Sequence, residues 1–118
     1  IPIGSNPRAI VLSPDNSMMY VTMNLSGKVA SWDLVNNKAG KSVKTGKAAR
    51  SLSISSDGTA LFVVNFVSNT MSKVRTSEMK VLQNIKVCNE PIGITYDSPT
   101  SRTWVACYGG AIKIFDNK

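Results

Sequence analysis

Short runs of alternating apolar and polar residues recur along the chain, each closed by a cluster of Gly, Pro, Asn, Asp or Ser, which is the pattern of half-buried β-strands joined by turns. Arg8 to Ser13 ends at Pro14-Asp15-Asn16, and Arg50 to Ser55 ends at Ser56-Asp57-Gly58, where Asp-Gly suits the positive φ of a tight hairpin. Second strands follow at Met18 to Met23, Ala60 to Asn65 and Thr103 to Cys107, rich in β-branched and aromatic residues. Third strands run at Lys28 to Asp33, Met71 to Thr76 and Ala111 to Asp116. Shorter, more polar fourth strands are expected at Val43 to Thr45, at Val81 to Val87 and, by analogy, at Ile1 to Ile3. No segment reads as a long amphipathic helix. The longest apolar run, Ala60 to Val64, is far below the roughly 18 to 20 residues of a membrane-spanning helix, so no membrane insertion is expected.

These strands repeat. Shifting the chain by 42 positions aligns Ile1-Pro2-Ile3-Gly4 with Val43-Lys44-Thr45-Gly46 and Ile85-Lys86-Val87-Cys88. Arg8 falls on Arg50, Ile10 on Leu52 and Ile94, and Tyr20-Val21 on Phe62-Val63 and Trp104-Val105. Trp32-Asp33 then meets Phe115-Asp116 at a spacing of 83, a slip explained by one residue of loop length. Four antiparallel strands per repeat of about 42 residues make one blade of a β-propeller. The predicted fold is therefore all-β, three such blades, incomplete as a single chain. Residues 1–7 form a closing fourth strand and loop, 8–48 blade 1, 49–90 blade 2, and 91–118 blade 3 lacking its fourth strand. Tyr20, Phe62 and Trp104 read as core.

Gly4-Ser5-Asn6-Pro7-Arg8-Ala9-Ile10, Ser13-Pro14-Asp15 and Tyr20-Val21-Thr22 together resemble the YVTN-type propeller repeat. The second copy keeps Gly46, Ser55, Asp57-Gly58 and Phe62-Val63-Val64-Asn65, and the third keeps Asn89, Pro91, Ile92-Gly93-Ile94 and Trp104-Val105-Ala106. Met23 before Asn24 departs from the family pattern and predicts a different connection between the second and third strands of blade 1. Trp32-Asp33 is also a WD dipeptide, yet WD repeats use a Gly-His pair whose imidazole joins a hydrogen-bonded network, and this chain has no His. The YVTN resemblance implies an exported protein of the bacterial or archaeal periplasm or cell surface. It also implies a broad range of roles, from interaction platforms to propeller lactonases, lyases and metal or haem reductases.

Composition narrows the chemistry. Without His, the commonest general base, the Ser-His and Cys-His nucleophile pairs and the usual copper, haem and zinc ligands are absent from these 118 residues, and no cofactor or metal is expected. In a propeller the fourth-to-first and second-to-third connections share one face, so candidate ligand-binding residues are Arg8, Arg50, Asn24, Phe66 and Tyr108. Arg8 and Arg50 suit bidentate anion recognition, or else satisfy neighbouring carbonyls. Of a net charge of +7, +5 comes from the basic stretch Lys38, Lys41, Lys44, Lys47 and Arg50. That stretch is either a polyanion site or a solvated edge. Cys88 takes the place of Gly4 and Gly46, and Cys107 the place of Asn65, on the same face of the third blade. A disulfide and two separate thiols both fit.

The preferred functional reading is a non-enzymatic binding or scaffold segment that recognises a protein, glycan or other surface ligand through the loops of one face. The alternatives are part of a propeller lactonase or lyase with its catalytic residues elsewhere, and polyanion binding through Lys38 to Arg50. Propellers usually need 4 to 8 blades, so the expected partner is the remainder of a longer propeller chain, or a second copy completing a six-bladed homodimer.

Overall fold

The computed structural model describes residues 1–116, which form three antiparallel sheets and no helix. Blade 1 is β1 (Pro7–Leu12), β2 (Met18–Met23), β3 (Lys28–Asp33) and β4 (Lys38–Lys44). Blade 2 is β5 (Ala49–Ile54), β6 (Ala60–Asn65), β7 (Thr70–Arg75) and β8 (Lys80–Lys86). Blade 3 is β9 (Pro91–Asp97), β10 (Arg102–Cys107) and β11 (Ala111–Asp116). Within each blade, strands pair with their chain neighbours in order, and successive blades pack chiefly through their first strands, β1 on β5 and β5 on β9.

The strongest hairpin signal holds in detail. Gly58 takes φ +77°, and the Asp57 carboxylate accepts from the Thr59 amide at 3.0 Å, the Thr59 hydroxyl at 2.7 Å and the Ser55 hydroxyl at 2.7 Å. Asp15 makes the same set of bonds with Ser13 and Ser17, and Asn16 supplies the positive φ. These hydroxyls and amides hold both carboxyls down to a pKa of about 2. At Asp15 the Ser17 hydroxyl contributes most, and at Asp57 the Thr59 amide.

Alternation along each strand sends side chains to the two faces of its blade, and the cores lie between blades. Tyr20 and Val29 meet Leu52, Leu61, Val63 and Val74 between blades 1 and 2. Phe62, Val64 and Met71 meet Val105 and Cys107 between blades 2 and 3, where the Phe62 and Tyr96 rings stack at 5.7 Å. Every β6 residue is buried, because blade 2 alone has a neighbour on each side. Burial of side chains the size of Phe62 and Leu61 stabilises by about 1.5–3 kcal/mol each.

Four sequence expectations need correction. The fourth strand of blade 1 is longer than expected, Lys38–Lys44, while that of blade 2 is displaced by one residue, Lys80–Lys86. They lie on the exposed rim and carry few of the apolar residues that mark a strand. Ile1 to Ile3 forms no strand, because the edge of β11 that it would complete belongs to the blade at the other end of the arc. Ile3 packs instead on the cluster of Met19, Val21, Met23, Ala30 and Trp32 on the outer side of blade 1. Met23 does not alter its loop: it ends β2 as Asn65 ends β6, and both connections have four residues, 24–27 and 66–69. The one-residue slip lies at 108–110 in blade 3. Trp104 is the positional equivalent of Phe62, yet it remains 40% exposed, since its face of blade 3 has no neighbour.

Candidate binding face

Antiparallel pairing sorts the connections onto two ends of the blades. The first-to-second and third-to-fourth turns share the turn end. The second-to-third connections share the loop end with the segments leading into β1, β5 and β9. At the loop end these segments are tied to one another. The Asn24 amide donates to the Asn6 carbonyl at 3.0 Å, Phe66 to Ala48 at 2.9 Å and Tyr108 to Glu90 at 2.8 Å. The three accepting residues are repeat-equivalent, and all have positive φ: 58° at Asn6, 59° at Ala48 and 55° at Glu90. Gly27, at φ +65°, lies so close to the segment before β5 that a Cβ there would sit 2.4 Å from the Gly46 carbonyl oxygen.

This end carries the predicted ligand-binding residues, though not as one cluster. Arg50 and Phe66 are brought together, the guanidinium lying 4.8 Å from the ring centroid in a cation–π contact. Asn24 donates its side-chain amide to the Ala49 carbonyl at 3.2 Å, next to Arg50 in the chain. Tyr108 is exposed on blade 3, and Arg8 lines an apolar groove with Ile1, Ile3 and Ile10 on the outer side of blade 1. A cleft of about 590 Å³ opens between the loops of blades 1 and 2, lined by Asn24, Ser26, Lys44, Lys47 and Ser68 among others.

The basic stretch does not form one patch. Lys38 begins β4 at the turn end beside Asp33, whose carboxyl is held below its ordinary value chiefly by the Asn36 amide and side chain and also by Lys38. Lys41 lies near Glu78, whose carboxyl is lowered first by its 2.9 Å bond to Arg75 and then by Lys80 and Lys41. Lys44, Lys47 and Arg50 lie at the opposite, loop end. An irregular register between Ala30 and Trp32 of β3 and their β4 partners breaks the alternation, so the spacing of three follows no single face.

Cys88 and Cys107 are joined by a disulfide, with S–S 2.02 Å and Cα–Cα 6.1 Å, that ties the segment before β9 to the end of β10. The equivalent position in blade 2 holds a buried polar cluster that the sequence reading missed. The Thr45 hydroxyl donates to Asn65 Oδ1 at 2.9 Å, and Asn65 Nδ2 donates to Thr70 Oγ1 at 3.1 Å and Ser72 Oγ at 3.0 Å. Ser72 also bonds the Asn84 side chain. Alignment of Asn65 with Met23 and Cys107 was the available signal. Among the described residues no three His, Cys, Asp or Glu side chains converge to hold a metal.

No family model matches the chain, and no curated protein does so either. Among solved structures it is similar to the Kuenenia stuttgartiensis hydrazine synthase, with TM-score 0.91 and 27% identity over 94% of this chain and 32% of that one. It is similar to the RRP9 WD40 repeats at TM-score 0.85 and 14% identity, covering 94% of this chain and 35% of that chain. For the β-propeller domain of Myceliophteria thermophila Cps50 (Swd1) the TM-score is 0.81, with 14% identity over 94% of this chain and 36% of that one. The three sheets are β-propeller blades. The chain spans about a third of the length of each of these structures. These propeller neighbours comprise an enzyme and WD40-type proteins, so the fold alone does not select a function.

Proposed function

We propose that these blades are a non-enzymatic binding segment of a larger, exported YVTN-type propeller that takes a surface ligand on its loop end. The observation that carries this reading is the Arg50–Phe66 pair beside the interblade cleft. A guanidinium over a ring still presents its planar fork of donors, whose geometry matches carboxylate and sulfate acceptors. The test is a glycan and peptide array probed with the chain and with Arg50→Ala/Phe66→Ala. Ligands lost in the double variant support the reading; an array on which every signal survives the double variant, or on which none appears, overturns it.

A second reading, part of a propeller enzyme with its catalytic groups outside residues 1–118, is favoured by the likeness to hydrazine synthase. It predicts that Arg50→Ala/Phe66→Ala leaves turnover by the assembled enzyme within a few fold.

A further inference from the structure

The acidic residues of the chain are segregated by end of the blade rather than by segment of sequence, while Lys38, Arg75, Lys80 and Arg102 share the turn end with them. Asp15, Asp33, Asp57, Glu78, Asp97 and Asp116 all lie at the turn end, and among the described residues Glu90 is the one acid at the loop end. The loop end carries Arg8, Lys28, Lys44, Lys47, Arg50 and Lys86. Within that set Lys28 and Lys44 are direct cross-strand partners on β3 and β4. Like charges placed opposite each other in a sheet are destabilising, and the equivalent pair in blade 2, Thr70 and Lys86, avoids the clash. Lys44 and Lys47 line the interblade cleft together with Ser26 and Ser68, whereas the Thr45 hydroxyl and the Asn24 amide there are engaged with Asn65 and with the Ala49 carbonyl. Leu25, 81% exposed, and Val67, 59% exposed, border the same cleft as apolar surface.

We infer that the cleft at Lys44 and Lys47 binds an acidic oligosaccharide, its sulfate or carboxylate groups on the lysines and its hydroxyls on the serine side chains. Leu25 and Val67 offer contact to the C–H faces of the sugar rings. No aromatic residue lines the cleft as a platform for stacked bases, and Phe66 is already covered by Arg50, which favours a glycan over single-stranded nucleic acid. The inference rests on the loop-end reading above and names its ligand class.

The test is calorimetric titration of the chain with a heparin-derived tetrasaccharide at low and moderate salt. Binding is expected to weaken roughly tenfold in Lys44→Gln/Lys47→Gln, and to weaken steeply with salt. Lys38→Gln/Lys41→Gln, which removes the same charge from β4 outside the cleft, is expected to leave it within about twofold. Equal losses from the two double variants would mean a response to net charge and would overturn the inference. So would a single-stranded oligonucleotide of equal charge binding as tightly, or no binding of the tetrasaccharide at all. Binding lost in Arg50→Ala/Phe66→Ala but kept in the lysine variants would overturn the inference while leaving the loop-end reading standing.

Discussion

Blades 2 and 3 meet the same packing requirement in different ways. In both, the segment entering the first strand passes close to the end of the second strand. In blade 2 the pair is Gly46 and Asn65, where a Cβ on Gly46 would come within 2.7 Å of the Asn65 side chain, and Asn65 spends its amide on Thr45, Thr70 and Ser72. In blade 3 the pair is Cys88 and Cys107, and a covalent bond replaces the hydrogen bonds. Blade 1 supplies a third form, Gly4 beside Met23, an apolar contact at 3.1 Å from the Gly4 Cβ position. Blade 2 is packed on both sides, so its junction is buried and a polar cluster there is shielded from competing water. Blade 3 has one open side, and a bond that does not depend on dielectric suits it.

Breaking these junctions should separate them by size. Removing the bridge as Cys88→Ala/Cys107→Ala frees a loop with a sequence separation of 19, an expected loss of about 3 kcal/mol in the chain-entropy account. Denaturant unfolding with and without reductant checks it, the wild type losing as much on reduction and the variant nothing. Asn65→Ala leaves the half-buried Thr45 and the buried Ser72 hydroxyls short of a partner and is expected to cost about 2 kcal/mol. A transplant sharpens the comparison: Gly46→Cys/Asn65→Cys is expected to form a disulfide detectable as the loss of both free thiols. Gly4→Cys/Met23→Cys is expected to resist it, because Gly4 has φ +119°, which a cysteine adopts only under strain. Equal bridging in both would remove the argument from backbone conformation.

What was legible in the sequence follows the same division. The repeat and the strands came through wherever a side chain faces a neighbouring blade, since burial there demands apolar alternation, as along Ala60 to Asn65. The rim strand of blade 1 reads short in the sequence because Lys38 to Ser42 is exposed and nothing selects for apolar residues. Trp104 was assigned to the core by its alignment with Phe62, and its exposure depends on which faces have neighbours, which a repeat pattern does not carry. At the binding end, Arg50 and Phe66 were both named, but their contact needed the loop geometry. The basic stretch was legible as a stretch. Its division between the two ends required knowing that β4 runs its full length from one end to the other.

The turn end extends the comparison at smaller magnitude. Blades 1 and 2 close their first hairpins with Asp15 and Asp57 and their hydroxyl partners, whereas blade 3 has Pro99 where blade 2 has Asp57. Both carboxyls are lowered from 3.8 to about 2, so each stabilises the fold above pH 3.8. That contribution is lost as the pH falls through about 2, because the unfolded chain takes up the proton first. Asp57→Asn is expected to flatten the acid limb of stability between pH 4 and 2, with a small effect at neutral pH because the group is open to solvent. An unchanged acid limb would show that these bonds are equally strong in the unfolded chain.

The smallest effect concerns the three repeat-equivalent residues with positive φ at the loop end. Ala48 has no side-chain group that favours the left-handed region, unlike Asn6, and its carbonyl holds the Phe66 amide. Ala48→Gly removes the Cβ conflict but enlarges the freedom of the unfolded chain, two opposing contributions of which the first is about 1–2 kcal/mol and the second about 0.4–1 kcal/mol. A net gain of roughly 0.5 kcal/mol is therefore expected, read as a rise in the urea midpoint at unchanged slope. The same change at Asn6 is expected to give nothing, because asparagine already tolerates that conformation. A gain at both positions would mean that the left-handed conformation strains asparagine as much as alanine, and a loss at both that the added freedom of the unfolded chain sets the outcome.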